Sequence, residues 1–183
     1  MRGFVVYESL FGNTARIAQA VVDGMRKHVD VELHSVTDGK LPEGADLLVM
    51  GGPTHAFSMS RATTRQDAVN QGATADPTLG LREWLEDLPE GNDTPFAAFD
   101  TRVDMVRRLP GSAAKAAAKM ARKRGYQLLT RPESFYVQDV PGPLLDGEVQ
   151  RAEVWGPQLR VYASGNECPL LGIVCGTGSD HLL

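Results

Sequence analysis

The sequence predicts an α/β domain, a three-layer, doubly wound arrangement in which helices cover both faces of a five-stranded parallel sheet. Short apolar strands alternate along the chain with amphipathic helices. The first strand also runs into a turn of small polar residues from which a helix begins at once. The chain has 183 residues, 42% hydrophobic and 23% charged, which is enough to bury one core.

The first elements follow from hydrophobic spacing. Residues 3–7 form an apolar strand, and residues 14–27 form a helix with one apolar stripe. Residues 29–36 alternate apolar and polar side chains, which is typical of a strand near a sheet edge. Residues 45–50 are continuously apolar, as in a central parallel strand, and we expect Gly-Gly-Pro at 51–53 to end it.

The middle of the chain is more polar. Residues 63–75 have few helix-forming signals, so we expect a long loop that leads into a helix at 76–88. Residues 95–99 predict a fourth strand. A long Ala/Lys/Arg helix is expected to begin at 110–112 and to end at Gly125.

Two short apolar segments, residues 126–129 and 134–137, together predict an interrupted fifth strand, and residues 147–159 predict the final helix. We therefore expect one domain over residues 1–163, followed by a tail of unknown role at 164–183.

The apolar run at 169–175 in that tail predicts either an added edge strand or an appendage. Cys168 and Cys175 form no disulfide framework and lack the neighbouring histidines of a zinc site.

Composition narrows the functional classes. A net charge of −4 argues against general nucleic-acid affinity. We find no apolar run of membrane-span length and no signal-type segment, so we expect a cytoplasmic protein. No Ser/His/Asp set, carboxylate pair or metal-ligand cluster stands out. The sequence leaves the oligomeric state open.

The turn after the first strand predicts an anion site. Backbone N–H groups of the turn and of the first helical turn converge there, at the positive end of the helix dipole. Ser9, Asn13 and Thr14 can add donors, and Gly12 allows close approach of a ligand. Simple helix capping by Asn13 or Thr14 explains the same residues equally well. Neither a dinucleotide fingerprint nor a P-loop lysine is present.

Two further loops are predicted to lie at the same edge of the sheet. Ligands of open α/β sheets bind beyond the carboxyl ends of the strands, where the strand order reverses. Residues 8–14, 52–61 and 100–104 all occupy such positions. We therefore expect the three loops to form one binding site.

The first two loops resemble those of flavodoxins. The pattern Val5-Val6-Tyr7-x-Ser9-x-x-Gly12-x-Thr14-x-x-x-Ala18-x-x-Val21 is similar to the family's FMN phosphate loop, and residues 52–61 resemble its flavin-edge loop. The resemblance covers about residues 3–162. It implies the strand order 2-1-3-4-5, with FMN at the switch between strands 1 and 3.

The resemblance also implies roles for individual residues. The FMN phosphate would be surrounded by Ser9, Leu10, Phe11, Gly12, Asn13 and Thr14. The isoalloxazine would be bordered by a loop that proline stiffens, Pro53, Thr54, His55, Ala56 and Phe57. Its pyrimidine side would face Asp100, Thr101 and Arg102.

Some of these residues have a second interpretation. His55 either contacts flavin or substrate, or is a solvent-facing turn residue. Phe57 either packs on the ring or belongs to the core. Arg102 either borders the flavin or forms a surface ion pair with Asp100 or Asp104.

The distribution of charge differs from that of strongly acidic flavodoxin shuttles. Arg61, Arg65 and Arg102 lie in the predicted loops, and positive charge there favours an anionic reduced flavin. We therefore expect a higher midpoint potential than that of a low-potential shuttle. The basic helix around residues 115–124 is either a solvated face or a docking surface for an acidic partner.

The predicted function is that of an FMN-binding electron-transfer protein of flavodoxin type, which passes electrons between redox partner proteins. The alternative is an FMN-dependent NAD(P)H:quinone-type oxidoreductase or oxidase that acts on a small quinone-like acceptor. In that case residues 63–75 would help to form a substrate pocket. A third hypothesis is a flavodoxin-like scaffold that has lost its cofactor.

Overall fold

The computed structural model describes residues 1–39 and 43–163. The predictions for the tail, including those for Cys168 and Cys175, lie outside the described residues. The strands are β1 (Arg2–Tyr7), β2 (Asp30–Ser35), β3 (Leu47–His55), β4 (Ser58–Met59), β5 (Pro95–Val103), β6 (Gln127–Leu128) and β7 (Glu133–Val137). The helices are α1 (Asn13–Met25), α2 (Ala62–Asn70), α3 (Leu81–Glu86), α4 (Ala113–Lys123) and α5 (Glu148–Ala163).

The sheet has the predicted doubly wound topology. Its strands lie in the order β2-β1-β3-β5, and both β6 and β7 pair with β5 in parallel. When β6 and β7 are counted as one interrupted strand, this is the order 2-1-3-4-5. The predicted strand order and the predicted interruption of the fifth strand are therefore both confirmed. The short β4 pairs antiparallel with the end of β3.

Each face of the sheet has its own core. On one face, α1 and α5 cover a cluster in which the ring of Phe99 meets Phe135 and Trp155 edge-on, with ring centroids 6.0 and 6.1 Å apart. On the other face, α3 and α4 cover Phe4, Met50 and their neighbours. The buried side of α4 consists of alanines, which allow the helix to lie close to the sheet.

The prediction of a long loop over residues 63–75 is wrong, because residues 62–70 form the helix α2. The backbone N–H of Arg61 donates to Thr64 Oγ1 (2.9 Å), and the Thr64 hydroxyl donates back to the Arg61 carbonyl (3.0 Å), which fixes the first turn. The helix buries Arg65 and Ala68 rather than an apolar stripe. Hydrophobic periodicity therefore gave no signal for it.

The helix predicted at 76–88 begins only at Leu81. Asp76 accepts hydrogen bonds from both the backbone N–H (2.8 Å) and the hydroxyl (2.6 Å) of Thr78, which holds this segment as a turn. Arg65 Nε then donates to the carbonyl of Pro77 (2.8 Å). These side-chain bonds compete with an earlier helix start.

Strand β3 does not end at 51–53 as expected, but continues to His55. The ring of Phe99 occupies the place of a side chain at Gly51, where a Cβ would lie 2.1 Å from Phe99 Cζ. Pro53 still faces Thr101 in the pairing with β5. The chain then reverses through Ala56 and Phe57, whose φ angles are 47° and 63°.

Gly24→Ala tests the packing of α1 on α5. A Cβ at Gly24 would lie 2.1 Å from the backbone carbonyl oxygen of Glu153. Despite the better helix propensity of alanine, we expect the free energy of unfolding to fall by about 3 kcal/mol in urea titrations. The exposed Arg16→Ala on the same helix should stay within about 0.5 kcal/mol of wild type. Unchanged stability of Gly24→Ala contradicts this close packing.

Candidate functional site

A cleft of about 170 Å³ lies where the carboxyl ends of β1, β3 and β5 meet. Parallel pairing brings together segments that are distant in sequence. The prediction of a loop over residues 100–104 is wrong, because residues 100–103 belong to β5, which is longer than expected. The predicted residues that line the cleft are Leu10, Phe11, Asn13, Thr14, Pro53, Thr54, His55, Ala56, Thr101 and Arg102. Three apolar side chains that were not predicted complete the lining of the cleft, Val103, Val137 and Val140. Val140 follows β7 and belongs to no motif in the sequence.

The other predicted site residues lie around this cleft. Ser9 and Gly12 line a neighbouring cleft on the opposite side of the turn, beside the end of β2. Phe57 is 48% exposed at the tip of the hairpin, so the interpretation of Phe57 as a core residue is wrong. Asp100 is fully buried below the cleft, where it accepts the Ala114 N–H (2.9 Å) at the start of α4.

Side chains at both ends hold the turn over residues 9–14. Ser9 Oγ accepts the N–H of Ala15 (3.2 Å). Asn13 Nδ2 donates to the Pro141 carbonyl (3.0 Å), and the Thr14 hydroxyl is 2.7 Å from the Thr101 hydroxyl. Neither Asn13 nor Thr14 caps the helix, so the simple capping interpretation is wrong.

The N-cap of α1 is Gly12, with φ at 86°. Among the described residues, no hydrogen-bond acceptor pairs with the backbone N–H groups of the turn at Leu10, Phe11, Gly12, Asn13 and Thr14. They lie at the positive end of the α1 dipole. Such an arrangement of donors binds the oxygens of an anion.

A buried network of charged side chains anchors the start of this turn. Glu8 accepts from the Ser60 hydroxyl (2.5 Å) and from the backbone N–H of Leu81 (2.7 Å). Arg65, which is fully buried, donates to Ser60 Oγ (2.9 Å) and pairs with Glu83 (3.1 Å). The network joins β1 to the end of β4 and to both α2 and α3. No periodic pattern in the sequence signals it.

Burial shifts the pKa values of the titratable groups around the cleft. It raises the pKa of Glu8, against the opposing effects of its hydrogen bonds and of Arg65, and it also raises the pKa of Asp100. Burial, with the positive charge of Arg65, lowers the pKa of His55 below its ordinary value of 6.5. His55 is therefore a neutral imidazole at neutral pH, able both to donate and to accept a hydrogen bond.

Arg102 holds the loop that follows β5. Its guanidinium donates to the carbonyls of Val106 (2.5 Å), Leu109 (3.3 Å) and Gly111 (3.3 Å). Because the side chain is only 4% exposed, the interpretation as a surface ion pair is wrong. Within residues 1–39 and 43–163, no carboxylate forms a salt bridge with Arg102.

The three arginines expected to place charge at the site therefore differ. Arg65 is compensated by Glu83 and lies in the network with Glu8. Arg61 is exposed to solvent, which screens its charge. Arg102 alone of the three lines the cleft.

The fold is that of the flavodoxins. Solved structures similar to the chain include an archaeal flavodoxin (22% identity, TM-score 0.61; 90% of this chain and 99% of that one covered). Flavodoxin 1 of Bacillus cereus is 16% identical, with a TM-score of 0.61 and coverage of 87% and 97%. A WrbA-like flavodoxin of Agrobacterium tumefaciens is 19% identical, with a TM-score of 0.59 and coverage of 91% and 99%.

No protein-family model and no curated protein sequence matches the chain. Within the described residues, no helix has the length and apolar character needed to cross a membrane. The comparisons thus establish the class of fold.

Glu8→Gln tests the buried carboxyl through its pH dependence. The pKa of Glu8 in the folded state lies above its ordinary value of 4.5, so its contribution to stability is fully present below that pH. This contribution is lost as the pH rises through the raised pKa. The free energy of unfolding of the wild type, relative to Glu8→Gln, should therefore fall from pH 4.5 upwards. Urea titrations of both proteins between about pH 4 and 8 measure this difference. A constant or rising difference contradicts the assignment.

Proposed function

We propose that the protein is an FMN-binding electron-transfer protein of flavodoxin type. The observation that carries this proposal is the row of unpaired backbone N–H groups between Leu10 and Thr14. A phosphate group has acceptor oxygens and negative charge, and the start of α1 offers donors and a positive dipole end. The switch point of such a sheet is where mononucleotides bind in this class of fold.

The residues around the cleft fit a flavin. The turn would hold the phosphate, while Thr54, His55 and Ala56 would lie along the ring on one side and Thr101 and Arg102 on the other. The apolar lining next to them suits the flat, apolar surface of an isoalloxazine. When bound, FMN supplies one- and two-electron redox chemistry. The chain contributes binding, orientation and charge: neutral His55 offers a hydrogen bond, and Arg102 a positive charge.

The cleft would leave part of a flavin exposed, which is compatible with a carrier. Pockets that enclose a small molecule have volumes of about 300–1,000 Å³, against about 170 Å³ here. A flavin held in this cleft would keep one edge at the surface. An exposed edge suits electron exchange with another protein.

The alternative enzyme would need a substrate pocket over the flavin. The segment expected to form it is largely the helix α2, and Thr74, Ala75 and Asp76 line the neighbouring cleft instead. Stopped-flow mixing with NAD(P)H and a quinone separates the two functions. Slow reduction without a partner protein supports the carrier, and fast turnover supports the oxidoreductase. A protein that neither retains flavin nor quenches the fluorescence of added FMN would be the cofactor-free scaffold.

A charge at Gly12 tests the phosphate site. A side chain at this position meets no atom within 4 Å, and Asn and Asp tolerate its positive φ. Gly12→Asp places a carboxylate beside the proposed phosphate, so we expect FMN affinity to fall by about tenfold or more in fluorescence titrations.

The matched control is Gly12→Asn, which has nearly the same shape without the charge and should bind FMN like the wild type. Riboflavin, which lacks the phosphate, should bind both variants equally. If FMN and riboflavin lose the same affinity, the phosphate does not lie at this turn.

Substitutions of Arg102 test whether its positive charge raises the midpoint potential of the flavin. Arg102→Gln removes the positive charge that lines the cleft, so the midpoint potential of the second one-electron step should become more negative, by about 60 mV for each 1.4 kcal/mol of lost attraction. Arg102→Lys keeps the charge and should stay close to the wild type. Arg61→Gln, at an exposed position, should change the potential less. Equal potentials in Arg102→Gln and Arg102→Lys contradict an electrostatic role.

A further inference from the structure

We propose that the surface around the mouth of the cleft docks the acidic face of a small redox protein, an inference that rests on the proposed flavin site. This docking surface comprises exposed apolar side chains at the mouth and basic side chains at its rim, namely Phe57, Met105, Leu109, Val140, Arg107, Arg108, Lys115 and Lys119.

The apolar part of the surface is concentrated at the cleft. Met105 is 91% exposed, and Leu109 and Val140 are 46% and 45% exposed. Phe57 lies in the hairpin between β3 and β4, Met105 and Leu109 lie in the segment after β5, and Val140 follows β7. Each of these three segments contributes a residue to the lining of the cleft or directly follows one that does, namely Ala56, Val103 and Val140. A cluster of large apolar side chains in water at one place is typical of a binding surface.

Contacts between the segments bring these side chains to the same edge of the sheet. Val140 lines the cleft itself. A Cβ at Gly111 would lie 2.6 Å from the carbonyl oxygen of Phe57, so the hairpin contacts the loop that carries Leu109. The Thr54 hydroxyl accepts the N–H of Ala113 (2.8 Å), which brings the start of α4 to the same edge.

Basic side chains flank this apolar centre. Lys115 and Lys119 lie four residues apart on one face of α4, and both are exposed. Within the described part of the chain, neither these residues nor Arg108 have an ion-pair partner. Arg102 connects the cleft to an adjacent groove, which also contains Lys115.

The nearby acids are mostly compensated. Asp104 pairs with Arg107 (3.1 Å). Glu133 and Glu148 share Arg151 as their one ion-pair partner, so one of these two negative charges is left over. Asp139 is the exposed acid beside Val140. Four acids, Asp104, Asp139, Glu133 and Glu148, thus lie near six basic residues, Arg102, Arg107, Arg108, Lys115, Lys119 and Arg151. This edge has a positive surplus, although the whole chain has a net charge of −4.

Charge complementarity then selects the partner. An apolar centre with a charged rim is the usual anatomy of a protein–protein interface. A positive rim attracts a negative partner, accelerates their encounter and disfavours basic proteins. A nucleic acid is less well matched, because bulky apolar side chains occupy the centre of the patch. An anionic membrane would accept both the apolar and the basic side chains, so vesicles are included as a competing probe in the test.

Equilibrium binding of labelled probes tests this surface. The probes are an oxidised plant-type [2Fe–2S] ferredoxin, chosen for its acidic surface, and cytochrome c, chosen for its basic one. Fluorescence anisotropy at low ionic strength should show tighter binding of the ferredoxin, which weakens as salt is added. The double variant Arg108→Glu/Lys115→Glu should lose at least about tenfold in affinity.

The matched control is Arg26→Glu/Lys27→Glu, which changes the charge by the same amount just beyond the C-terminal end of α1, the end that lies away from the cleft. This variant should bind the ferredoxin like the wild type. Met105→Ser should weaken binding without changing its salt dependence, because it removes only apolar contact.

Several results would overturn the proposal: unchanged ferredoxin binding by the charge-reversed double variant, tighter binding of cytochrome c, or tighter binding of phosphatidylserine vesicles or duplex DNA than of ferredoxin. Anisotropy does not require the flavin to be bound. A wild-type protein that binds FMN but not ferredoxin therefore counts against this docking surface alone, whereas absence of FMN binding by the wild type counts against the proposed function.

Discussion

The parallel register of β1, β3 and β5 is the constraint on which the site depends. Tyr7 lies opposite Gly51, and Pro53 lies opposite Thr101, so the turns that follow these strands meet at one edge. The contact of the Phe99 ring with Gly51 allows β3 to run straight through a sequence that otherwise resembles a strand end. The cleft follows from this alignment, because its walls come from segments more than thirty residues apart.

A turn with unpaired N–H groups is costly, because each donor forgoes a hydrogen bond unless water or a ligand supplies it. Here the turn is held at both ends. The Glu8 network fixes its start, and the contacts of Asn13 with Pro141 and of Thr14 with Thr101 fix its end. A site held in this way loses little entropy when an anion binds. Glu8 and Arg65 do not line the cleft, and their role in positioning the turn explains why these titratable groups are buried.

The sequence was sufficient for the class of fold, because short apolar strands and amphipathic helices alternate in an order that few topologies accommodate. The strand order came from the resemblance of the first two loops to those of flavodoxins. The sequence was also sufficient for most of the cleft, since local motifs lie at strand ends. It failed at α2, whose buried face is an arginine, and at Gly51, where only the tertiary contact with Phe99 explains a glycine inside a strand. The attachment of Arg102 to backbone carbonyls could not be predicted either, because it depends on the path of the following loop.

The central claim is that the backbone N–H groups of the turn bind the phosphate of FMN. Amide NMR of the 15N-labelled protein tests it most directly, with FMN and riboflavin added in separate titrations. We expect FMN to move the amide proton resonances of Leu10, Phe11, Gly12, Asn13 and Thr14 downfield, as hydrogen bonds to phosphate form, and riboflavin to leave them nearly unchanged. Equal shifts with both flavins, or shifts confined to other amides, would contradict it.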